Sequence, residues 1–167
     1  FLDSEKAYDK VTHGEIELAV VTLALEQPER IYSRALWFDQ LSIMTSPDHA
    51  LTRYKRVKAG DLLGFPAILP AETTFTRQLV DRIFRAQGLK LEVGMSTNYL
   101  ETIKMMVSVG MAWSVLPQTM LDDSLRILPV ENISLGRQLG YIYHRDHTLS
   151  NAARAFIQIL DKYGSQG

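Results

Sequence analysis

A helix, a tight turn and a buried strand follow one another within a few residues, and this feature constrains the fold more than any other. Apolar residues at helical spacing, Leu100, Ile103 and Val107, stop at Gly110. A short apolar run then breaks at Pro117. Gly110 stands where a helix C-terminus places a left-handed residue, a conformation that glycine adopts without a Cβ penalty. The segment therefore predicts a helix packed directly against a strand in an α/β fold.

Strands and helices alternate along the rest of the chain. The strand candidates are Glu17–Thr22, Ile31–Phe38, Gln40–Thr45, Ala67–Leu69, Leu91–Met95, Arg126–Leu128 and Leu139–Tyr143. The further helix candidates are Ser4–Gly14, Thr76–Gln87 up to Gly88, and a final helix with one apolar face at Ala152, Ala153, Phe156, Ile157 and Leu160. The unbroken apolar run in the first strand predicts a parallel sheet that is covered on both faces. Core filling is expected of Met105, Met106, Met111 and Met120.

Composition limits the functions that remain. A chain of 167 residues makes one domain or two small lobes, and an apolar content of 46% is enough for a core. A net charge of −1 gives no basic surface for phosphate contacts, so these residues are not expected to bind nucleic acid themselves. The absence of cysteine rules out disulfides, thiolate metal sites and a cysteine nucleophile, and it fits the cytoplasm, which we expect to be the location.

Other chemical signals are weak. His144 and His147 have a spacing that could suit a metal, but there is no third ligand nearby, so no metal site is expected. The chain contains no glycine-rich phosphate loop, nucleophile elbow or paired-carboxylate signature of acid–base catalysis, and we therefore expect neither an enzyme nor a bound cofactor. The basic run Lys55–Lys58 and the pair Asp122–Asp123 are interpreted as solvated segments.

Several segments in this order resemble a known family. They are the helix Ser4–Gly14 with the following strand, Pro47–Leu51, Asp61–Leu62, the Gly110 turn with its strand, and Leu149–Ile157. Together they resemble the effector-binding domain of LysR-type transcriptional regulators across nearly the whole chain. One departure is visible, since the usual Gly-Leu-Gly is here Gly110-Met111-Ala112, followed by Trp113. Ala112 is expected to narrow that corner of the family's ligand cleft.

The resemblance implies two Rossmann-like lobes of the type 2 periplasmic-binding-protein kind, with a small effector in the cleft between them. Lobe I would comprise residues 1–47 and 139–167, and lobe II residues 48–138. The crossovers would lie near Thr45–Pro47 and Arg137–Gly140. The family's first strand and helix and its helix-turn-helix are expected to precede Phe1, with Phe1–Leu2 as the tail of a strand.

Ligand-binding candidates are the polar side chains that follow predicted strands, because open α/β sheets bind ligands beyond the carboxyl ends of their strands. Two of these residues are equally well suited to a structural role: Ser4 as a helix N-cap and Thr22 as a β-branched residue that closes a strand. The candidates are Ser4, Thr22, Thr73, Thr74, Phe75, Thr76, Thr97 and Asn98.

The function implied by the resemblance is the sensing of a small metabolite by a LysR-type regulator, which would contact DNA only through its N-terminal region. The alternative is a two-lobe solute-binding protein that works in transport. The resemblance also implies a homodimer or homotetramer in which helix Glu5–His13 of one subunit lies near helix Arg77–Gln87 of its neighbour. No membrane partner is expected.

The charge balance generates a first prediction. Because the chain carries a net charge of −1, these 167 residues alone should show no sequence-specific binding to an operator at physiological salt. An electrophoretic mobility-shift assay with the operator and a scrambled duplex measures this. Selective retention of the operator would contradict the placement of the DNA contacts outside this chain.

Overall fold

The computed structural model describes residues 3–164 and divides the chain into two compact units. Unit 1 comprises the residues up to Asp39 together with those from Arg137 onward, and unit 2 comprises Gln40–Gly136. The lobe limits expected from the sequence, after residue 47 and after residue 138, stay a prediction. The predicted strand tail Phe1–Leu2 lies outside the described residues.

The described chain contains five helices and seven strands, interspersed along the sequence, which confirms the predicted α/β class. The helices are α1 Ser4–Thr12, α2 Ala59–Leu62, α3 Phe75–Ala86, α4 Leu100–Ser108 and α5 Asn151–Gly164. The strands are β1 Leu18–Thr22, β2 Ile31–Thr45, β3 Ile68–Leu69, β4 Met95–Ser96, β5 Ser114–Pro117, β6 Arg126–Ile127 and β7 Leu135–His144. Short 3₁₀ turns cover Ala50–Arg53 and Gln118–Met120.

In unit 1 the sheet is antiparallel where the sequence predicted a parallel one. Strand β1 pairs with β7 in a register that runs from Leu18 opposite Tyr143 to Thr22 opposite Leu139, and β7 lies between β1 and β2. Val20 in β1 is 46% exposed, so this strand is not covered on both faces. An apolar run in a short strand does not fix the direction of its neighbour, and the parallel prediction was wrong for this strand.

The final helix α5 has a narrower apolar face than predicted. Ala153 and Leu160 are buried and Ile157 is half-buried, at the spacing of one helix face. Phe156 is 46% exposed, because it is one residue and therefore about 100° of rotation away from Ile157. Ala152 is exposed as well, so the prediction was wrong for these two residues.

Strand β2 is continuous, whereas the sequence indicated two strands on either side of Asp39. A carboxylate within a strand needs a partner when it is largely shielded from water. The Nε of Arg137 donates to a carboxylate oxygen of Asp39 at 2.8 Å, and both side chains are mostly buried. The charged residue therefore does not end the strand.

Unit 2 contains the helix–turn–strand segment that the sequence predicted. Gly110 follows the end of α4 with a φ angle of +81°, the left-handed conformation expected of it, and Gly88 follows the end of α3 with a φ angle of +73°. Strand β5 then pairs antiparallel with β2, and β6 also pairs with β2. The indole of Trp113 is fully buried, and its Nε1 donates to the carbonyl of Leu62 at 3.0 Å.

Two other expectations for unit 2 were wrong. The strand predicted at Leu91–Met95 is confined to Met95–Ser96, which pairs parallel with β3. Met105 and Met111 are 60% and 55% exposed and do not fill the core. Helix α4 faces the core through Ile103 and Val107, four residues apart, and Met105 lies between them on the opposite side.

No helix within residues 3–164 has the length and apolar character that crossing a membrane requires.

The packing of unit 1 predicts a large penalty for a side chain at Gly140. A Cβ atom there would lie 2.0 Å from the backbone oxygen of Arg34, a contact that only a backbone shift can relieve. Gly140→Ala should lower the free energy of unfolding by about 3 kcal/mol or more, measured by urea denaturation. The matched control is Gly60→Ala, because a Cβ at Gly60 meets no atom within 4 Å, and this variant should keep or slightly raise stability. Equal stabilities of the two variants would contradict the close approach of Gly140 to the backbone of Arg34.

Candidate functional site

In unit 1, two side chains of α1 hold the end of strand β1 and the residues just after it. The hydroxyl of Ser4 accepts a hydrogen bond from the backbone N–H of Thr22 at 3.0 Å. One helical turn later, the hydroxyl of Tyr8 accepts from the N–H of Ala24 at 3.1 Å and donates to the side-chain oxygen of Gln27 at 2.9 Å. Burial raises the pKa of Tyr8. Residues four apart on a helix project from one face, and alternate amides of an extended segment point the same way, so the two bonds fix this strand end.

Ser4 is not the N-cap that the sequence allowed. Asp3 occupies the cap position, and Ser4 is the first helical residue. Because the Ser4 oxygen accepts from Thr22, its hydroxyl hydrogen is still available to a further acceptor. The side chain of Thr22 is half-buried and has no hydrogen-bond partner among residues 3–164. The fold thus brings Ser4 and Thr22 together. The Ser4 oxygen is engaged by the Thr22 amide, and the Thr22 hydroxyl is available to a ligand.

In unit 2, two of the predicted polar loops meet because they follow neighbouring strands. Strands β3 and β4 run parallel, with Leu69 opposite Ser96. The backbone N–H of Thr97 donates to the carbonyl of Leu69 at 3.3 Å, and the side-chain oxygen of Asn98 accepts from the N–H of Ala71 at 3.0 Å. The carboxyl ends of adjacent parallel strands share one edge of a sheet, where ligands bind in this class of fold.

The threonines of these two loops differ in what their hydroxyls do. Thr74 is the N-cap of α3: its oxygen accepts from the N–H of Arg77 at 3.2 Å, and its hydroxyl donates to the carbonyl of Ala71 at 2.8 Å. Thr97 accepts from the N–H of Tyr99 at 3.3 Å. Thr76 is buried, whereas Thr73 is exposed at the tip of the loop. Thr74 and Thr97 therefore have structural roles, and Thr73 is open to solvent.

Phe75 and Asn98 complete the predicted set. Phe75 is the first residue of α3 and is half-buried, while Asn98 is exposed and uses its oxygen to join the two loops. An aromatic side chain beside hydroxyl and amide groups provides an apolar surface next to polar contacts, as in many small-molecule sites.

Arg77 is a residue of this region that the sequence reasoning missed. Its side chain is 5% exposed, and its Nε donates to a carboxylate oxygen of Asp81 at 3.0 Å. A second nitrogen lies 3.4 Å from the carbonyl of Pro70, and Glu72 is 3.7 Å away. The buried cation thus links α3 to the loop before it. The Arg77–Asp81 spacing of four residues was the available signal.

Two buried hydroxyls in unit 2 were also missed. Thr45 at the end of β2 and Ser114 at the start of β5 are both fully buried, and neither side-chain oxygen has a hydrogen-bond partner within the described part of the chain. A buried hydroxyl without a partner costs about 1–3 kcal/mol relative to a satisfied one. No sequence pattern distinguishes these residues from satisfied threonine and serine.

The histidine pair and Asp122 of the acidic pair noted in the sequence have partners within the described chain. The rings of His144 and His147 stack at 4.0 Å. Over residues 3–164 there is no cluster of three His, Cys, Asp or Glu side chains that could hold a metal ion. Asp122 is paired with Lys104 at 2.7 Å, and hydrogen bonds from Lys104 and Ser124 lower the pKa of Asp122 to about 2. The Asp122 side chain is exposed, as expected of a solvated turn, and it also forms an ion pair with Lys104.

Comparison with known families gives one match along nearly the entire sequence. The profile described as the LysR substrate binding domain matches residues 1–164. Among curated proteins, the uncharacterized HTH-type transcriptional regulator YeiE of Escherichia coli K12 is 30% identical over 128 residues, which are 74% of this chain and 43% of that protein. The HTH-type transcriptional activator CmpR of Synechocystis is 29% identical over 125 residues, 72% of this chain and 41% of that protein. The chain therefore spans less than half the length of these relatives.

Solved structures confirm the predicted fold class. The effector-binding domain of QuiR in complex with shikimate has a TM-score of 0.86 at 18% identity, covering 99% of this chain and 79% of that one. The regulatory domain of CcmR from Synechocystis in complex with 2-PG has a TM-score of 0.80 at 21% identity, covering 95% of this chain and 78% of that one. At these identities the likeness concerns the fold alone.

The contrast between the helix-capping hydroxyl of Thr74 and the unpartnered hydroxyl of Thr45 gives a prediction with a matched control. Thr74→Val and Thr45→Val make the same change at two buried positions of unit 2. Loss of the α3 cap in Thr74→Val should lower the free energy of unfolding by about 1 kcal/mol. Thr45→Val should leave it unchanged or raise it, because the variant removes an unsatisfied hydroxyl and keeps the shape. Thermal denaturation of both variants measures this. A loss in Thr45→Val as large as that in Thr74→Val would show that the Thr45 hydroxyl has a partner.

Proposed function

Because this chain belongs to the LysR substrate-binding domain family, we propose that it is the effector-sensing part of a LysR-type transcriptional regulator. The family match over residues 1–164 is the observation that supports this function most strongly. The curated relatives named above are transcriptional regulators, which favours regulation over the transport alternative. The proposed ligand is a small metabolite.

The proposed effector contacts are of two kinds. In unit 1 they are the available hydroxyl of Thr22 and the hydroxyl hydrogen of Ser4, both held at the end of β1. In unit 2 they are the groups of the two neighbouring loops, which comprise Thr73, Thr74, Phe75, Thr76, Thr97 and Asn98. Neutral donors and acceptors dominate both sets, so the proposed effector is a polar molecule with hydroxyl or carboxylate groups rather than a polyanion. The shikimate of the QuiR complex is a ligand of this chemistry.

Sensing requires that the effector bind one conformation of the regulator better than another. A ligand with equal affinity for two conformations does not shift the equilibrium between them. The DNA contacts are proposed to lie in another part of the regulator, since the chain has a net charge of −1. The proposed assembly is a homodimer or homotetramer, with α1 of one subunit near α3 of the next. Because a regulator that binds DNA works in the cytoplasm, the proposed location is the cytoplasm.

The hydroxyl of Thr22 gives the sharpest test of the contacts in unit 1. The effector is first sought by thermal shift in a panel that includes shikimate and 2-PG, because a ligand that binds the folded state raises its stability. For the best ligand, Thr22→Val should raise the Kd about fivefold, as expected for one lost hydrogen bond of about 1 kcal/mol.

Thr148→Val is the matched control, because Thr148 is exposed in unit 1 and belongs to neither proposed set of contacts. Isothermal titration calorimetry compares the three proteins. An unchanged Kd for Thr22→Val would show that Thr22 is not part of the effector site. An equal rise of the Kd in both variants would show that the Thr22 hydroxyl has no specific role in binding.

A further inference from the structure

Unit 2 contains a cavity that none of the proposed effector residues lines. Its volume is about 430 Å³, within the range of sites that hold small organic ligands. One wall is the segment from Pro47 to Val57, and the opposite wall is Arg126–Pro129. All of the lining residues belong to unit 2.

The floor of the cavity is apolar. Leu51, Val57 and Leu128 line it and are only 0%, 3% and 5% exposed, so their side chains form its deepest surface. All three also belong to the main hydrophobic cluster of unit 2. The apolar surface that a ligand can cover is that of Tyr54, which lines the cavity and is 45% exposed, and of the exposed Pro129 beside it. Covering this surface is favourable in proportion to its area.

The rim of the cavity is cationic. Lys55, Arg56 and Arg126 line it and are all exposed. Arg56 has one weak ion pair, with Glu131 at 3.8 Å, whereas Lys55 and Arg126 have no ion pair with any residue in the described range 3–164. Three cations facing one carboxylate leave an excess of two positive charges at this opening. Such a rim attracts anions, and arginine binds carboxylate and phosphate oxygens with two parallel hydrogen bonds.

Backbone hydrogen bonds fix both walls. Val57 forms a parallel bridge with Val130, and the N–H of Glu131 donates to the carbonyl of Val57 at 2.9 Å. On the other wall, Arg126 pairs with Thr45 in the β2–β6 ladder. The cavity therefore exists before any ligand arrives, which lowers the entropy cost of binding.

We infer that this cavity is a second ligand site, which binds a small organic anion whose carboxylate or phosphate faces Lys55, Arg56 and Arg126 and whose apolar body packs against Tyr54 and Pro129. The charged side chains of Lys55–Lys58 are exposed, as expected of a solvated segment, and Lys55 and Arg56 supply two of the three rim cations. The site gives a regulator of this kind a second chemical input on unit 2.

Phenyl phosphate is a suitable probe, because it joins an anionic group to an apolar ring. Isothermal titration calorimetry at low ionic strength, where surface charges are least screened, compares it with inorganic phosphate and with neutral benzyl alcohol. Phenyl phosphate should bind this chain in a saturable manner and at least tenfold more tightly than either comparison molecule. Lys55→Gln and Arg126→Gln should each weaken it about tenfold, since each removes a charge-assisted contact.

Two control variants test whether phenyl phosphate binds at this cavity and not elsewhere on the chain. Arg85 is an exposed residue of α3 that does not line the cavity. The Arg85→Gln variant should therefore bind phenyl phosphate with unchanged affinity. Thr22→Val should also bind phenyl phosphate normally, so failure of the proposed effector contacts and failure of this site are distinguishable. No saturable binding at millimolar concentrations, equal binding of inorganic phosphate, or equal losses in Arg126→Gln and Arg85→Gln would each overturn the assignment.

Discussion

The close approach of strands β2 and β7 is the constraint on which the rest of the structure depends. Gly140 meets the backbone of Arg34 at a distance that leaves no room for a side chain. Each of the two strands begins in one compact unit and ends in the other, and the remaining strands of the main sheet attach to them. β1 pairs with β7, and β5 and β6 pair with β2. The added strand of unit 1 is thus attached through β7, and the added strands of unit 2 are attached through β2.

Strand ends in this protein are held by side chains, and this determines which polar groups remain for a ligand. Ser4 and Tyr8 hold the end of β1, and Asn98 and Thr74 hold the loop after β3. Anchored hydroxyls and amides hold a binding surface in place at no further cost when a ligand arrives. The same bonds reduce the number of free groups, so that Thr22 and Thr73 are the most available of the predicted contacts.

The neutral strand-end groups and the cationic cavity in unit 2 differ in the chemistry they can recognise. Hydroxyl and amide groups select by the direction of hydrogen bonds, and they bind neutral or singly charged polar molecules. Lys55 and Arg126, with no ion pair inside the described chain, select by charge. Two sites of different chemistry on one domain would let a regulator respond to two metabolites.

Local patterns predicted much of the fold. Gly88 and Gly110 marked the ends of two helices because a left-handed residue is a local requirement, and the apolar runs located most strands. Features that depend on distant partners could not be predicted. The continuity of β2 depends on Arg137, which is 98 positions from Asp39 in the sequence. The antiparallel pairing of β1, the exposure of Met105 and the missing partner of Thr45 likewise depend on which segments meet in space.

The sequence identified Thr73–Thr76 and Thr97–Asn98 as polar groups that follow strands, but it did not predict the role of each hydroxyl. Threonine before a helix is expected both in a ligand site and in a cap, and only the contacts of Thr74 with Ala71 and Arg77 distinguish the two roles. The cavity near Lys55 was not predictable, because its second wall comes from Arg126, far along the sequence.

The effector contacts are tested most directly by mapping backbone amide shifts in ¹H–¹⁵N NMR spectra while the effector found by screening is titrated into the isotope-labelled chain. The largest shifts are expected at Thr22 in unit 1 and at the loops of Thr73–Thr76 and Thr97–Asn98 in unit 2. Shifts confined to the cationic cavity of Lys55 and Arg126, with the strand-end amides unmoved, would contradict the proposal that the effector is read at the strand ends.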